Sequence, residues 1–214
     1  MTMFITFEGG EGAGKTTLIE RIYQELLNSG KEVIKTRAPG ATATGAVIRD
    51  LVLHHKEPLF SRTELLLYLA DRAEHTEKII QPALDAHKVV LCDRYNDSTV
   101  AYQGAGRGHD PEFVRTLCLF ATKGLEPDLT LYLDLDPEIG LERVRAAGMT
   151  KDKIEAEKIL FHQKIRKAFC SFAEKEPHRF RLIDASKTPE EVFQEAIKII
   201  HTAKIKQCCQ KSSI

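Results

Sequence analysis

Apolar residues fall along this chain in two alternating rhythms. Short β-favouring runs recur as MFITF (3–7), KEVIKTR (31–37), KVVLCD (88–93), DLTLYLD (128–134) and RFRLIDA (179–185). KVVLCD is continuously apolar, as expected of a strand buried on both faces. Between these runs the apolar positions take helical spacing. Leu18, Ile22 and Leu26, with Ile19, Tyr23 and Leu27 beside them, mark a first helix that Gly30 closes. A short helix follows from Thr44 or Gly45 to His54. Ser61-x-x-Glu64 reads as a capping box that opens a long helix to about His87, with Pro82 bending it. Asp110-Pro111-Glu112 and Asp136-Pro137-Glu138 each combine an N-cap, a proline at N1 and an acid in the first turn. Gly124 stops the first of these two helices. A charged stretch at 148–158 leads into a helix that ends before Pro177, and Thr188-Pro189-Glu190-Glu191 starts the last one. Strand alternates with helix, with no internal repeat or linker. The pattern predicts a three-layer α/β fold around a parallel sheet of about five strands. It also predicts a single domain over 1–206 and a frayed tail at 207–214.

In such a sheet the ligand lies beyond the carboxyl ends of the strands, so the residues there matter most. The first strand runs into Gly9-x-x-x-x-Gly14-Lys15-Thr16 and then a helix, which is a P-loop in its required context. Its backbone amides form an anion nest at a helix N-terminus. Gly10, Glu11, Gly12, Ala13, Gly14, Lys15, Thr16 and Thr17 are therefore candidate residues for binding a nucleoside triphosphate, with Lys15 reaching the β/γ-phosphates. Thr16 is a candidate Mg²⁺ ligand, joined by Asp93 at the end of the third strand in the manner of a Walker-B acid. Asp134, at the end of the fourth strand, is either a second site acid or a helix cap. The second strand ends in Thr36-Arg37 and the third in Asp93-Arg94-Tyr95, so two arginines converge on the triphosphate end. Asn96, Ser98, Tyr102 and Gln103 then form a polar, partly aromatic group suited to a sugar and a base. Tyr68 and Arg72, four apart on the long helix, share a face that could stack on a base and hydrogen-bond it.

Composition narrows the partners. The 214 residues carry 31 basic and 31 acidic side chains, so no global field favours nucleic acid or an anionic membrane. Five cysteines, odd in number and without metal-ligand spacing, suit reduced thiols in a cytoplasmic protein. The first strand begins at once, leaving no room for a signal peptide, and no apolar run approaches the ~20 residues of a membrane span.

FEGGEGAGKTT (7–17), TRAPGATATG with Arg49 following (36–49), ELLLYLADRAEH (64–75), LCDRYNDSTVAYQGAGRG (91–108), PDLTLYLDLDPEIGLERVR (127–145) and LIDAS (182–186) together resemble the bacterial-type thymidylate kinases, in family order and over nearly the whole chain. Asp93-Arg94-Tyr95-x-x-Ser98-x-x-Ala101-Tyr102-Gln103 is particular to that family among nucleotide kinases. The resemblance implies a P-loop NTPase fold with a small helical lid at about 146–158, ATP-dependent phosphorylation of dTMP to dTDP with Mg²⁺ in dTTP biosynthesis, and a homodimer. It implies that Glu11 contacts the 3′-hydroxyl, that Arg37 and Arg94 bind the acceptor phosphate, and that Tyr68 stacks on thymine while Arg72 reaches its carbonyl. It further implies that Ser98 and Gln103 line the pocket and that Tyr102 lies under the sugar. Arg143 and Arg145 precede the lid over ATP, and Lys153 stands where the family carries a lid arginine.

The family's Arg-Glu-Pro-Gly-Gly-Thr reads Arg37-Ala38-Pro39-Gly40-Ala41-Thr42 here, losing an acid and a glycine; Ala147 replaces a common arginine. Lysine cannot reproduce a bidentate guanidinium fork, so a competent but slower enzyme is expected, and arginine at Lys153 should raise kcat. The alternatives are a kinase for another deoxynucleoside or its monophosphate, and a nucleotide-binding regulator that no longer transfers phosphate.

Overall fold

A computed structural model describes residues 2–148 and 153–211, with side chains as far as residue 203. Five parallel strands, β1 (Met3–Gly9), β2 (Val33–Arg37), β3 (Val89–Asp93), β4 (Leu129–Asp134) and β5 (Phe180–Asp184), lie in the order β2-β3-β1-β4-β5. Phe7 pairs with Asp93, and Gly9 with Leu133, so the carboxyl ends of the central strands finish side by side. The order reverses on either side of β1, which makes the P-loop the topological switch point where open α/β sheets bind ligands.

Helices cover both faces. α1 (Lys15–Asn28) and α9 (Pro189–Lys211) pack Ile22, Leu26, Val192, Ala196 and Ile200 against Met3, Ile5 and Phe7. The alternate residues of β1 face the other way. Phe4 meets Ile80, Ala83 and Tyr95 there, while Thr6 and Glu8 on that face are wholly buried. A continuous apolar run would not carry such polar positions unless each were satisfied, and they are: Thr6 bonds Thr130 at 2.9 Å, and Thr130 is held in turn by Asp97 and Arg179.

The remaining helices are α2 (Ala43–His54), α3 (Ser61–His75), α4 (Gln81–Asp85), α5 (Asn96–Thr99), α6 (Pro111–Ala121), α7 (Pro137–Ala146) and α8 (Ile159–Lys175). Asp110 and Asp136 cap α6 and α7 through Phe113 N and Glu138 N. Thr188 and Glu191 exchange bonds in a capping box at the start of α9. The box expected at Ser61 does not form: the N-cap is Phe60, with no side-chain bond. Glu64 is buried instead and receives Gln103 and Arg107. The bend assigned to Pro82 appears as a π-helical turn at Thr76–Ile80 joining α3 to α4, a wider turn that accommodates the ring and its missing N–H.

Candidate active site

The donor end is built from β1, the P-loop and α1. Gly12 and Gly14 hold φ of 69° and 89°. A Cβ on Gly12 would stand 2.1 Å from the carbonyl oxygen of Gly140 in α7, so glycine is required there. Lys15 opens α1, nearly buried, and its ammonium donates to the carbonyls of Gly9 (3.1 Å) and Gly10 (2.9 Å). Burial lowers its pKa, with Arg94 adding to the effect and Glu11 and Asp93 opposing it. In front lies a cavity of about 1140 Å³, its open mouth included, bounded by residues 11–17 of the loop, Arg37, Asp93, Arg94 and Arg143. Asp93 presents a buried Oδ1 with no hydrogen-bond partner, and the exposed Thr16 lines the same space. An unmatched carboxylate oxygen beside a hydroxyl fits a hard cation such as Mg²⁺. A further space of about 820 Å³ continues past Gly12, Gly14 and Thr17 to Arg21, Arg143, Ala185 and Lys187, and Arg143 donates to Ala185 O (3.2 Å).

The acceptor end is a pocket of about 520 Å³ with its open mouth included. Tyr68 and Arg72 reach it from α3, one helical turn apart, together with Ser98, Tyr102 and Gln103 from α5 and the π-helical segment Val100–Gly106. Arg94 sits at its inner end in left-handed backbone, φ 67°. Its guanidinium donates to Glu11 Oε1 (2.6 Å), Tyr102 OH (3.0 Å) and Ser98 Oγ (3.4 Å). Burial would raise the Glu11 carboxyl, but Arg94 and Lys15 outweigh it and hold Glu11 below its ordinary value. Tyr102 also donates to Glu11 Oε1 (3.1 Å), and burial keeps its phenol neutral. Arg72 is 1% exposed, bonded to Tyr95 O (3.0 Å) and paired with Asp71 (3.3 Å). Asp71 in turn accepts from Gly40 N (3.0 Å).

Glu11, Ala38, Arg49 and Arg94 line both the donor cavity and the acceptor pocket. The two anion-binding ends therefore meet over one set of side chains, with Lys15 on one side and the base-sized pocket on the other.

The structure places several other candidates away from the positions the sequence suggests. Lys153 does not line either cavity; its ammonium donates to Glu57 O (2.6 Å), beyond the end of α2. Arg145 is exposed and borders none of the three spaces. Arg37 lines the donor cavity rather than the acceptor pocket. Asn96 turns inward to Thr122 (3.2 Å). Asp134 is neither cap nor cavity wall: Arg166 grips it with two bonds, 2.8 and 2.9 Å. The lid region of 149–152 lies outside the described residues.

Other residues were missed. Arg49 reaches the junction only because α2 folds back over the Pro39-Gly40 turn, where it donates to Pro39 O (3.0 Å). Ala185 and Lys187 enter through the β5–α9 turn, which the strand-end rule could have flagged. Glu8 supports the site from below: it accepts from Tyr95 N (2.8 Å) and Ser98 Oγ (2.5 Å), on both sides of the loop that aims Arg94.

A switch-point P-loop facing a second, arginine-lined pocket defines a P-loop phosphotransferase that acts on a small phosphorylated acceptor. A family model described as thymidylate kinase matches residues 7–196. A thymidylate kinase of Protochlamydia amoebophila is 47% identical over 205 residues, covering 92% of this chain and 91% of that protein. One from Desulfovibrio desulfuricans is 50% identical over 197 residues, 89% and 91%. The crystal structure of thymidylate kinase from Ehrlichia chaffeensis superposes with a TM-score of 0.75 at 34% identity, covering 93% and 98% of the two chains. The chain belongs to the thymidylate kinase family.

Proposed function

We propose that the two joined cavities carry out the family's reaction, ATP + dTMP ⇌ ADP + dTDP, by direct in-line transfer. The observation that supports this is the shared wall of Glu11, Arg49 and Arg94, over which donor and acceptor phosphates would meet end to end. The nucleophile is a phosphate oxygen of the acceptor, largely ionised at pH 7 because its second pKa is about 6. No general base is required, so the work left to the protein is alignment and charge compensation. The amides of residues 10–17 and Lys15 hold the donor phosphates, and Arg143 borders the path to its base. Arg94 and Arg49 grip the acceptor phosphate at the junction, with Arg37 beside them on the donor side. Tyr68 stacks on the base, while Arg72, Ser98 and Gln103 offer polar partners to it. Glu11 accepts from the sugar hydroxyl and Tyr102 lies beneath the sugar, disfavouring an additional 2′-hydroxyl. Thr16 and Asp93 would hold Mg²⁺, which when bound screens the charge of the transferring phosphoryl group.

The supporting pocket is enclosed by a tyrosine face, a guanidinium and a side-chain amide, a set matched to a pyrimidine deoxynucleotide. Initial rates with ATP, Mg²⁺ and each of dTMP, dUMP, dCMP, dGMP and thymidine test the reading. Turnover highest with dTMP is expected; a preference for another acceptor, or binding without turnover, replaces it with one of the alternatives. We also infer a homodimer, supported by the large apolar side chains Leu66, Phe113 and Phe120 left exposed on α3 and α6, two helices packed together.

A further inference from the structure

The turn at 153–158 meets both spaces: Ile154 lines the acceptor pocket and Glu155 the donor cavity. Ile154 is 5% exposed, lines the pocket, and belongs to the apolar cluster that contains Leu53, Tyr68, Tyr102 and Phe161. On one side of it, Lys153 is tied to the end of α2: its backbone N–H reaches Leu53 O (3.4 Å) and its ammonium Glu57 O (2.6 Å). On the other side Glu157 accepts from Arg107 Nη1 (2.5 Å). Arg107 is itself clamped on Glu64 by two bonds, 3.0 and 3.1 Å, and lies over the Phe161 ring at 4.7 Å. Glu64 also holds the amide of Gln103 (2.9 Å), a wall of the same pocket.

We propose that Ile154 is a binding residue for the acceptor nucleotide, roofing its pocket, and that Lys153 and Glu157 are the positioning residues that fasten this roof to α2 and to Arg107. The assignment rests on the reading of this pocket as the acceptor site. It gives Lys153 a different task from the transition-state cation the sequence suggested. The ammonium is spent on a backbone carbonyl of the α2–α3 connection, and lysine suffices because one carbonyl needs no guanidinium fork. The Glu157–Arg107–Glu64–Gln103 chain makes the roof and the pocket wall one hydrogen-bonded unit. Ile154, Lys153 and Glu157 bear on the acceptor pocket, so loosening the roof should weaken acceptor binding more than donor binding, which the turn meets only through Glu155.

Calorimetric titration with dTMP alone, and separately with a non-hydrolysable ATP analogue, tests this on the wild type, Ile154→Ala, Glu157→Gln and Lys153→Met. In Ile154→Ala and Glu157→Gln the dTMP Kd is expected to rise about fivefold or more. The ATP-analogue Kd should stay within about twofold, and KM for dTMP should rise with kcat at saturation nearly unchanged. Lys153→Met should follow the same pattern, and Lys153→Arg should leave kcat where it was. Unchanged dTMP affinity in both Ile154→Ala and Glu157→Gln, an equal loss of ATP-analogue affinity, or a large fall in kcat confined to Lys153→Met would overturn the roof. A melting temperature close to that of the wild type shows that each variant is folded. A wild-type chain that bound no dTMP would instead overturn the functional reading, a separate outcome.

Discussion

Burial of Glu8 at the end of β1 removes its carboxyl from water, the neighbouring Asp97 adds repulsion, and the pKa rises from 4.5 to about 7 despite the bonds from Ser98 and Tyr95. A carboxyl raised on folding binds its proton more tightly in the native state. Its stabilising contribution is therefore complete below pH 4.5 and is lost as pH climbs through 7. The rise corresponds to about 3 kcal/mol across that window. Urea unfolding of the wild type and Glu8→Gln at several pH values should show the variant gaining on the wild type by roughly that amount from pH 4.5 to 8; a constant difference would mean that Glu8 does not titrate there. Lys15 poses the opposite question, since its ammonium faces a cavity and bonds only two carbonyls of the loop. Lys15→Ala should lower kcat by about a thousandfold while changing stability by only about 1 kcal/mol. A folded Lys15→Ala protein with near-normal turnover would remove Lys15 from the donor site.

Two elements, the P-loop and α7, are locked by backbone contact rather than by side chains. A Cβ on Gly140 would stand 2.2 Å from Glu11 O, and one on Gly12 meets Gly140 as closely. Alanine in place of Gly140 gains about 1 kcal/mol of helix propensity, but the overlap with backbone costs about 1–3 kcal/mol and must displace Glu11. Gly140→Ala should therefore be net destabilised or near neutral, yet lose kcat/KM for dTMP because Glu11 no longer meets Arg94. Steady-state kinetics beside a melting curve check this; unaltered kinetics would mean that the loop tolerates the shift. The same scale explains the capping box that failed at Ser61. Glu64 has the residue type and spacing of a cap partner, but a buried bidentate bond to Arg107 outweighs an exposed bond to a helix amide.

For the whole molecule, Phe120 is 85% exposed and Leu66 62% exposed on adjacent helices, more apolar surface than isolated exposed residues would suggest. Light scattering should give a dimer for the wild type and a smaller species for Phe120→Asp; a wild-type monomer would refute the pairing. The element order, the five strands and the P-loop were legible in the chain because each is a local signal: apolar period, cap residues, and glycines at set spacing. The end of β3 was legible too, so Arg94 and the Ser98, Tyr102 and Gln103 that follow it could be named as candidates, and helical spacing paired Tyr68 with Arg72. The hydrogen-bond partners of Glu8, Arg107 and Lys153 were not legible, because they lie far away in sequence and are chosen by packing. Glu8 lies 87 residues from Tyr95, and Lys153 lies 96 from Glu57. The sequence alone determined the order of strands and helices and the setting of the P-loop between β1 and α1, since those are local signals. Only the tertiary structure decided which charges neutralise one another and which are left facing the ligand, since that depends on distances and burial that no local pattern encodes.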